Sequence, residues 1–375
     1  MGKDLLDKIQ PLQFRKDINF LRALSVVSVI IYHIDKSLLP GGWLGVDIFF
    51  FISGYLISNT IIIELKNNNF QFRNFYLKRI KRILPALLST LIFTIPFAFF
   101  LLPPKELYLY INSFQSSLLF YSNLYFENLD FYNSPSTKFF PLLHMWSLSV
   151  EEQFYIIFPF VLFFIFKFRK NSTFIYIVVF SVLSLFLNSL DIGNLVFYQI
   201  QFRIWEFLFG VIFMFLESRV SFKKNNKYIG IFIIFFSFIF FDDSIINNFN
   251  TKLICLIGVF LYLTNSNENR LIFFLNNNKF IQQIGLISFS LYLFHQPIFV
   301  FFRIYDTNIN NVSSFTYIGL VIFLYVISYL NWKYIEVPYQ KSFLRNKKFI
   351  LGLVFIGLCA STLTLLNQDS FINRF

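Results

Sequence analysis

The side chains of this sequence best suited to chemistry are carboxylates, a histidine and arginines set inside apolar runs. Between Trp146 and Tyr155 the chain reads WSLSVEEQFY, which places Glu151 and Glu152 side by side in a stretch that is otherwise apolar from Pro141 to Phe166. A run of that length is a membrane span, and ionised carboxylates inside one are costly unless they face a partner or a polar cavity. In the first apolar run Arg22 and His33 are eleven residues apart. On a helix that is three turns, so the two share nearly one face at a separation of about 16 Å along the axis. Asp47, in GGWLGVDIFFFISGYL at the start of the next run, comes to about the depth of His33, as do Glu151 and Glu152 near the start of their own helix. A histidine beside a carboxylate can act as a general base near neutral pH, because the acid fixes the tautomer and stabilises the imidazolium. The plainer reading of either residue alone is a buried ion pair that specifies helix packing; their shared depth is what favours chemistry.

Two further groups carry charge. Arg203 and Glu206 in QFRIWEFLFG are spaced to pair on one helical turn, a structural arrangement. In FYLKRIKRILP, residues 75–85, the basic residues Lys78, Arg79, Lys81 and Arg82 precede an apolar run. Taken alone this is an ordinary anchor at the cytoplasmic face. Arg79 and Arg82 share a helical face, however, and guanidinium groups suit phosphate, so with Arg22 they could hold a phosphorylated cytosolic donor.

These groups need a scaffold, and composition says which. With 375 residues, 56% of them hydrophobic and 14% charged, and a mean hydropathy of +0.61, the chain is an all-α, polytopic transmembrane helix bundle rather than a water-soluble globule. Spans are predicted at 18–34, 43–65, 83–102, 142–166, 173–190, 195–216, 228–241, 250–264, 280–302, 315–332 and 349–366. Several are short for a crossing, so tilted or broken helices are expected. With the N-terminus cytoplasmic, the inner loops hold 24 of the 32 basic residues, only Lys36, Lys105, Lys138, Lys252, Arg303 and Arg374 fall outside, and Arg22 and Arg203 lie within spans. Leu107–Leu124 is apolar enough to suggest another span, but counting it would put 14 basic residues on the wrong face. It is therefore read as a helix lying against the outer side of the membrane.

The net charge of +12 follows from this loop bias and gives no argument for nucleic-acid binding. The first apolar run carries Arg22 in its own start and is read as a retained helix, not a cleaved signal. Cys255 and Cys359 lie in separate apolar runs, where small buried hydrophobes are expected rather than a disulfide or a metal site. The sequence has no Cys/His cluster, glycine-rich phosphate loop or GxSxG elbow, so neither a metal nor a permanently bound cofactor is expected.

The series LRALSVVSVIIYH (21–33), GGWLGVDIFFFISGYLI (41–57), FYLKRIKRILPAL (75–87), LLHMWSLSVEEQFYIIFP (142–159), FRIWEFLFG (202–210), ISFSLYLFHQPI (287–298) and YIEVP (334–338) resembles the membrane-bound acyltransferase-3 family, in order and over nearly the whole chain. The resemblance implies an O-acyltransferase of the bacterial inner (plasma) membrane. Its donor would be cytosolic acyl-CoA, most often acetyl-CoA, and its acceptor a hydroxyl of an envelope glycan such as lipopolysaccharide, exopolysaccharide or a lipid-linked glycan. It implies His33 as the catalytic residue, Arg22 as its Arg-x10-His partner, and Arg79 and Arg82 as the Arg-x-x-Arg motif of the donor. Asp47 matches the acid of the GVD motif and Glu336 that of the E-x-P motif, a secondary candidate because the derived topology puts it near the cytoplasmic face. Glu151 and Glu152 are the further carboxylates of the expected catalytic set. For His144 and His295, helix-packing hydrogen bonds compete with catalysis. Direct attack by a sugar hydroxyl activated by His33 and a covalent acyl-histidine relay both remain open.

Residues 1–340 are thus read as the acyltransferase transmembrane domain. Residues 341–375 are read as a further helix, about 349–366, and a short extracytoplasmic tail. Many members of the family continue into a periplasmic SGNH-hydrolase-like domain whose motifs are not in this sequence, so the expectation is a membrane module with a separate SGNH-type partner, or a fragment. A transporter of a lipid-linked sugar or acyl group is the alternative function. It would also need many spans and buried charge, but has no use for a phosphate site paired with a histidine–carboxylate pocket.

Overall fold

The computed structural model of the chain describes residues 6, 9, 13–129, 139–190, 194–217, 226–242, 249–264, 270–306 and 314–342. Among these the secondary structure is helical, without a strand. Seven stretches are long and apolar enough to cross a membrane: Lys16–Ile34, Gly42–Lys66, Phe72–Leu101, Met145–Ser189, Leu195–Leu216, Lys279–Tyr305 and Phe315–Lys341. The 45-residue stretch is two helices broken at Lys170–Ser172, and two shorter apolar helices, Asn226–Phe240 and Phe249–Leu263, complete the series. Each predicted span up to 332 thus coincides with an apolar helix. The predicted span at 349–366 and Cys359 lie outside the described residues.

The helices fall into two compact units. The first takes the residues up to Gln71 together with Glu151–Ser288, and the second takes Phe72–Val150 together with the residues from Phe289. In the first, α1 (Lys16–Ile34) leads through a 3-10 turn at Gly42–Leu44 into α2 (Gly45–Lys66). In chain order α3 is Phe72–Leu101, α4 Pro104–Leu118, α5 Ser122–Glu127, α6 Met145–Arg169, α7 Thr173–Ser189 and α8 Asn194–Tyr198. Then follow α9 (Ile200–Leu216), α10 (Asn226–Phe240), α11 (Phe249–Leu263), α12 (Arg270–Asn277), α13 (Lys279–Tyr305), α14 (Ser314–Asn331) and α15 (Val337–Ser342).

The first unit is built on the crossing of α2 and α9. A Cβ on Gly54 would lie 1.9 Å from the Phe207 carbonyl oxygen, and one on Gly210 would lie 2.0 Å from that of Phe51. The two backbones therefore touch, which is how helices associate in hydrocarbon, where burying apolar area gains little. Stacked rings close the flanks: Phe207 packs between Phe50 and Phe154, each at 4.4 Å.

In the second unit α3 runs unbroken through Pro85 and Pro96. The basic motif at 75–85, expected to precede a span beginning at 83, is instead the first turns of one 30-residue helix. Pro85 sits only where the carbonyl of Lys81 must be satisfied otherwise, a cost that membrane bundles tolerate. The ambiguous Leu107–Leu124 stretch forms α4 and α5, and α4 buries Leu107, Tyr110, Ile111 and Phe114 on one face. Thr94 of α3 and Tyr110 of α4 share a hydrogen bond of 2.6 Å. Beyond α14 the chain makes a π-helical turn at Trp332–Glu336.

Candidate functional site

His33 lies in the last turn of α1, half-buried, with its Nδ1 2.8 Å from the carbonyl oxygen of Val29. A ring nitrogen facing a carbonyl must be the donor, so in the neutral ring Nδ1 carries the hydrogen and Nε2 the lone pair. That is the tautomer of a general base acting through Nε2. A main-chain oxygen one turn back fixes this tautomer. The Tyr32 ring stands edge-on to the imidazole at 5.3 Å. The GGWLG turn lies directly on this helix, because Cβ atoms on Gly42 and Gly45 would come within 2.3 and 2.4 Å of the carbonyl oxygens of Ser28 and Ser25.

Asp47, in the first turn of α2, is fully buried and ion-paired to Arg203 of α9 at 2.6 Å. Arg203 also donates through Nε to Glu206 at 2.7 Å and through Nη2 to the same carboxylate at 3.0 Å. It lies over the rings of Phe50 and Phe197, each at 5.5 Å. Lys252 of α11 completes the group at 3.8 Å from Glu206. The predicted Arg203–Glu206 pair is therefore real but larger than expected. Lys252, counted from sequence with the basic residues of the outer side, near the start of the predicted span 250–264, is a fully buried residue of α11. Two cations and two carboxylates sum to zero charge, the condition under which such a cluster can sit in an apolar interior.

Glu151 accepts hydrogen bonds from Ser53 of α2 and Tyr155 one turn along its own helix, and the two hydroxyl oxygens lie 3.1 Å apart. Glu152, half-buried, is turned about 100° around α6 from Glu151, so the adjacent acids serve different faces. Arg22 lies half-buried on α1.

Sequence reasoning passed over a second polar centre in this unit. Arg15, counted as a loop cation, binds Asp17 at 2.7 and 3.0 Å, Tyr55 at 3.0 Å, the carbonyl oxygen of Leu263 at 3.2 Å and Glu217. Burial disfavours its charge, but the hydrogen bond and charge of Asp17, aided by Tyr55 and Glu217, outweigh it and raise its pKa above the ordinary value. Arg15 is thus a structural tie at the start of α1. The one local signal was the i, i+2 spacing to Asp17.

The remaining candidates belong to the second unit. Arg79 and Arg82 are both half-buried on α3, and Arg79 lies over the Phe75 ring at 5.7 Å. Glu336, buried in the π-helical turn, accepts a hydrogen bond from Ser290. Asn331 donates to Ser290 at 2.7 Å and accepts from Ser89 at 2.6 Å, so the four residues form one chain of hydrogen bonds. Pro297 cannot donate to the Leu293 carbonyl, and His144 Nε2 meets that oxygen at 3.0 Å. His295 Nδ1 meets the carbonyl of Tyr292, and the two histidine rings stand edge to face at 5.1 Å. His144 thus bonds across to α13, while His295 bonds within its own helix. Among the described residues no group of three or more His, Cys, Asp or Glu is placed to hold a metal ion, and Cys255 is buried and free.

Residues 15–333 match a family model described as "Acyltransferase domain". The chain is 29% identical over 401 residues to a protein named O-acetyltransferase OatA of Staphylococcus aureus (strain MRSA252), across 98% of this chain and 66% of that protein. It is also 29% identical over 372 residues to one of the same name from strain NCTC 8325 / PS 47, across 92% of this chain and 61% of that protein. The chain thus spans less than two thirds of the length of these curated relatives. No solved structure matches it.

Proposed function

The chain belongs to the acyltransferase-3 family, and on that footing we propose that it is an integral membrane O-acyltransferase. It moves an acetyl or other short acyl group from cytosolic acyl-CoA to a hydroxyl of an extracytoplasmic surface polysaccharide or lipid-linked glycan, in the bacterial inner membrane. The family match across most of the apolar bundle carries this reading.

In the proposed reaction Nε2 of His33 takes the proton of the acceptor hydroxyl, and the oxygen attacks the thioester carbonyl carbon. The carbon–sulfur bond then breaks, and the departing thiolate of coenzyme A takes the proton back from the imidazolium. The Nδ1–H bond to Val29 supports this role, because it leaves the lone pair of the neutral ring on Nε2. Asp47 is held by Arg203, so its part is to anchor the GVD turn beside α1. The carboxylate that stabilises the imidazolium is assigned to the Glu151–Glu152 pair. Arg79, Arg82 and Arg22 are assigned to the phosphates of the donor by guanidinium chemistry, and Glu336 a supporting role. An SGNH-type partner acting after the membrane step remains compatible with this scheme.

The test is incorporation of labelled acetyl from acetyl-CoA into envelope glycan, in cells carrying the wild-type chain or His33→Ala at equal membrane levels. Label that depends on His33 is expected. Equal label in both removes His33 from the mechanism, and none in either favours a transporter or a different donor.

A further inference from the structure

The hydrogen-bonded chain of the second unit has a direction. The Ser89 hydroxyl on α3 donates to Asn331 Oδ1 at 2.6 Å, the nearer of its two acceptors, since the Ala86 carbonyl oxygen lies at 2.8 Å. The Asn331 amide donates to Ser290 Oγ at 2.7 Å, and the Ser290 hydroxyl donates to Glu336. Each member thus turns its hydrogen toward the carboxylate. At that end the chain is sealed, with Ser290 0% and Glu336 4% exposed, whereas Ser89 at the other end is half-buried. Two capacities are left at the open end: Ser89 Oγ keeps lone pairs that can accept, and the Asn331 amide keeps a second hydrogen to donate. An acceptor and a donor side by side are the complement of a secondary amide, which presents one N–H and one C=O. In a membrane-spanning bundle, hydrocarbon offers them nothing in exchange.

The position of Ser89 on α3 says which amide. It lies seven residues beyond Arg82, so the two differ by about 20° around the helix and by about 10 Å along it. Arg79, three residues before Arg82, is about 60° to one side. The face of α3 that carries the two arginines therefore also carries Ser89, two turns deeper in the span. In acyl-CoA the second amide of the pantetheine arm is about ten bonds from the nearest phosphorus, or about 12 Å at about 1.2 Å per bond of extended chain. We infer that the Ser89–Asn331 end of this chain is the subsite for the pantetheine arm of the donor, pairing with its amide while the arginines hold its phosphates. This rests on the proposed acyl-CoA donor and adds residues outside the arginine motif. Glu336, brought to Ser290 by the π-helical turn, is then a positioning residue that orients the Asn331 amide; such turns recur at functional sites. A network that only ties α3 and α13 to the turn would make the same bonds, and the two readings part on whether donor affinity depends on the arm.

The full chain in vesicles would be titrated with coenzyme A and with its phosphoadenosine diphosphate fragment, which lacks the pantetheine arm. The wild-type chain should bind coenzyme A about tenfold more tightly than the fragment or better. Asn331→Leu should weaken coenzyme A about tenfold and leave the fragment unchanged, which also shows that the variant is folded. Ser89→Ala, the milder change, should act in the same direction, whereas Arg82→Ala should weaken both ligands alike. A fragment that binds as tightly as coenzyme A would overturn the subsite while the donor reading stands. Asn331→Leu weakening both ligands equally, with Ser89→Ala without effect, would return the network to helix packing and overturn it too. Binding of neither ligand would overturn the donor reading, and this inference with it.

Discussion

Replacing Arg203 by Met tests whether the buried ion group holds the first unit together. Arg203, Asp47, Glu206 and Lys252 are each no more than 1% exposed. With Arg203 gone, two carboxylates face one cation, and that cation stands 3.8 Å from Glu206 only. Removing one partner of a buried pair costs about 3–5 kcal/mol, because the remaining charge is left without compensation. Arg203 also bridges α9 to α2 and α8 through Asp47 and the Phe197 carbonyl oxygen. The thermal midpoint of the purified chain, at fixed scan rate and detergent, should therefore fall by about 5–10 °C. Arg203→Met combined with Glu206→Gln restores neutrality, with Asp47 and Lys252 left as one anion and one cation. Replacing a buried pair by neutral groups of similar size is often nearly neutral, so the double variant should lie closer to wild type than Arg203→Met alone. A single variant within 1 °C (about the precision of such midpoints), or a double variant whose losses simply add, would refute the view that charge balance governs this cluster.

Gly210→Ala should lower the thermal midpoint by the equivalent of about 1–3 kcal/mol, since its Cβ would press on the Phe51 carbonyl at 2.0 Å. Gly319→Ala, with nothing within 4 Å of the new methyl group, should leave stability unchanged or raise it by up to about 1 kcal/mol; equal effects at the two sites would undo the close-contact argument. Under the proposed function, Arg79→Ala and Arg82→Ala should each raise the KM for acyl-CoA about tenfold with kcat nearly unchanged. A fall in kcat at constant KM would instead move these residues away from donor binding.

Much of the fold was legible because a membrane span is a local property. A run of about 20 apolar residues needs no knowledge of its neighbours to be recognised, and the spans up to 332 were read close to the helices found. Boundaries slipped where a helix continued into polar sequence. α3 begins at Phe72 rather than 83, because Lys and Arg are good helix formers and a basic first turn does not end a helix. The local pairing of Arg203 with Glu206 was legible for the same reason, since the two are three residues apart.

By itself the sequence determined an all-helical membrane bundle, the placement of its apolar helices, and a set of polar side chains needing explanation. Only the tertiary structure decided which of them meet. Asp47 finds Arg203 across 156 positions, Glu151 meets Ser53 across 98, and Lys252 turns out to be interior. Each pairing depends on the rotation of one helix about its axis and on how near it comes to the next. Those are set by backbone contacts at Gly54 and Gly210 and by the fit of the aromatic rings around them. Spacing along the chain carries the period of a helix, but which neighbour a buried charge will face is fixed only once the helices have packed.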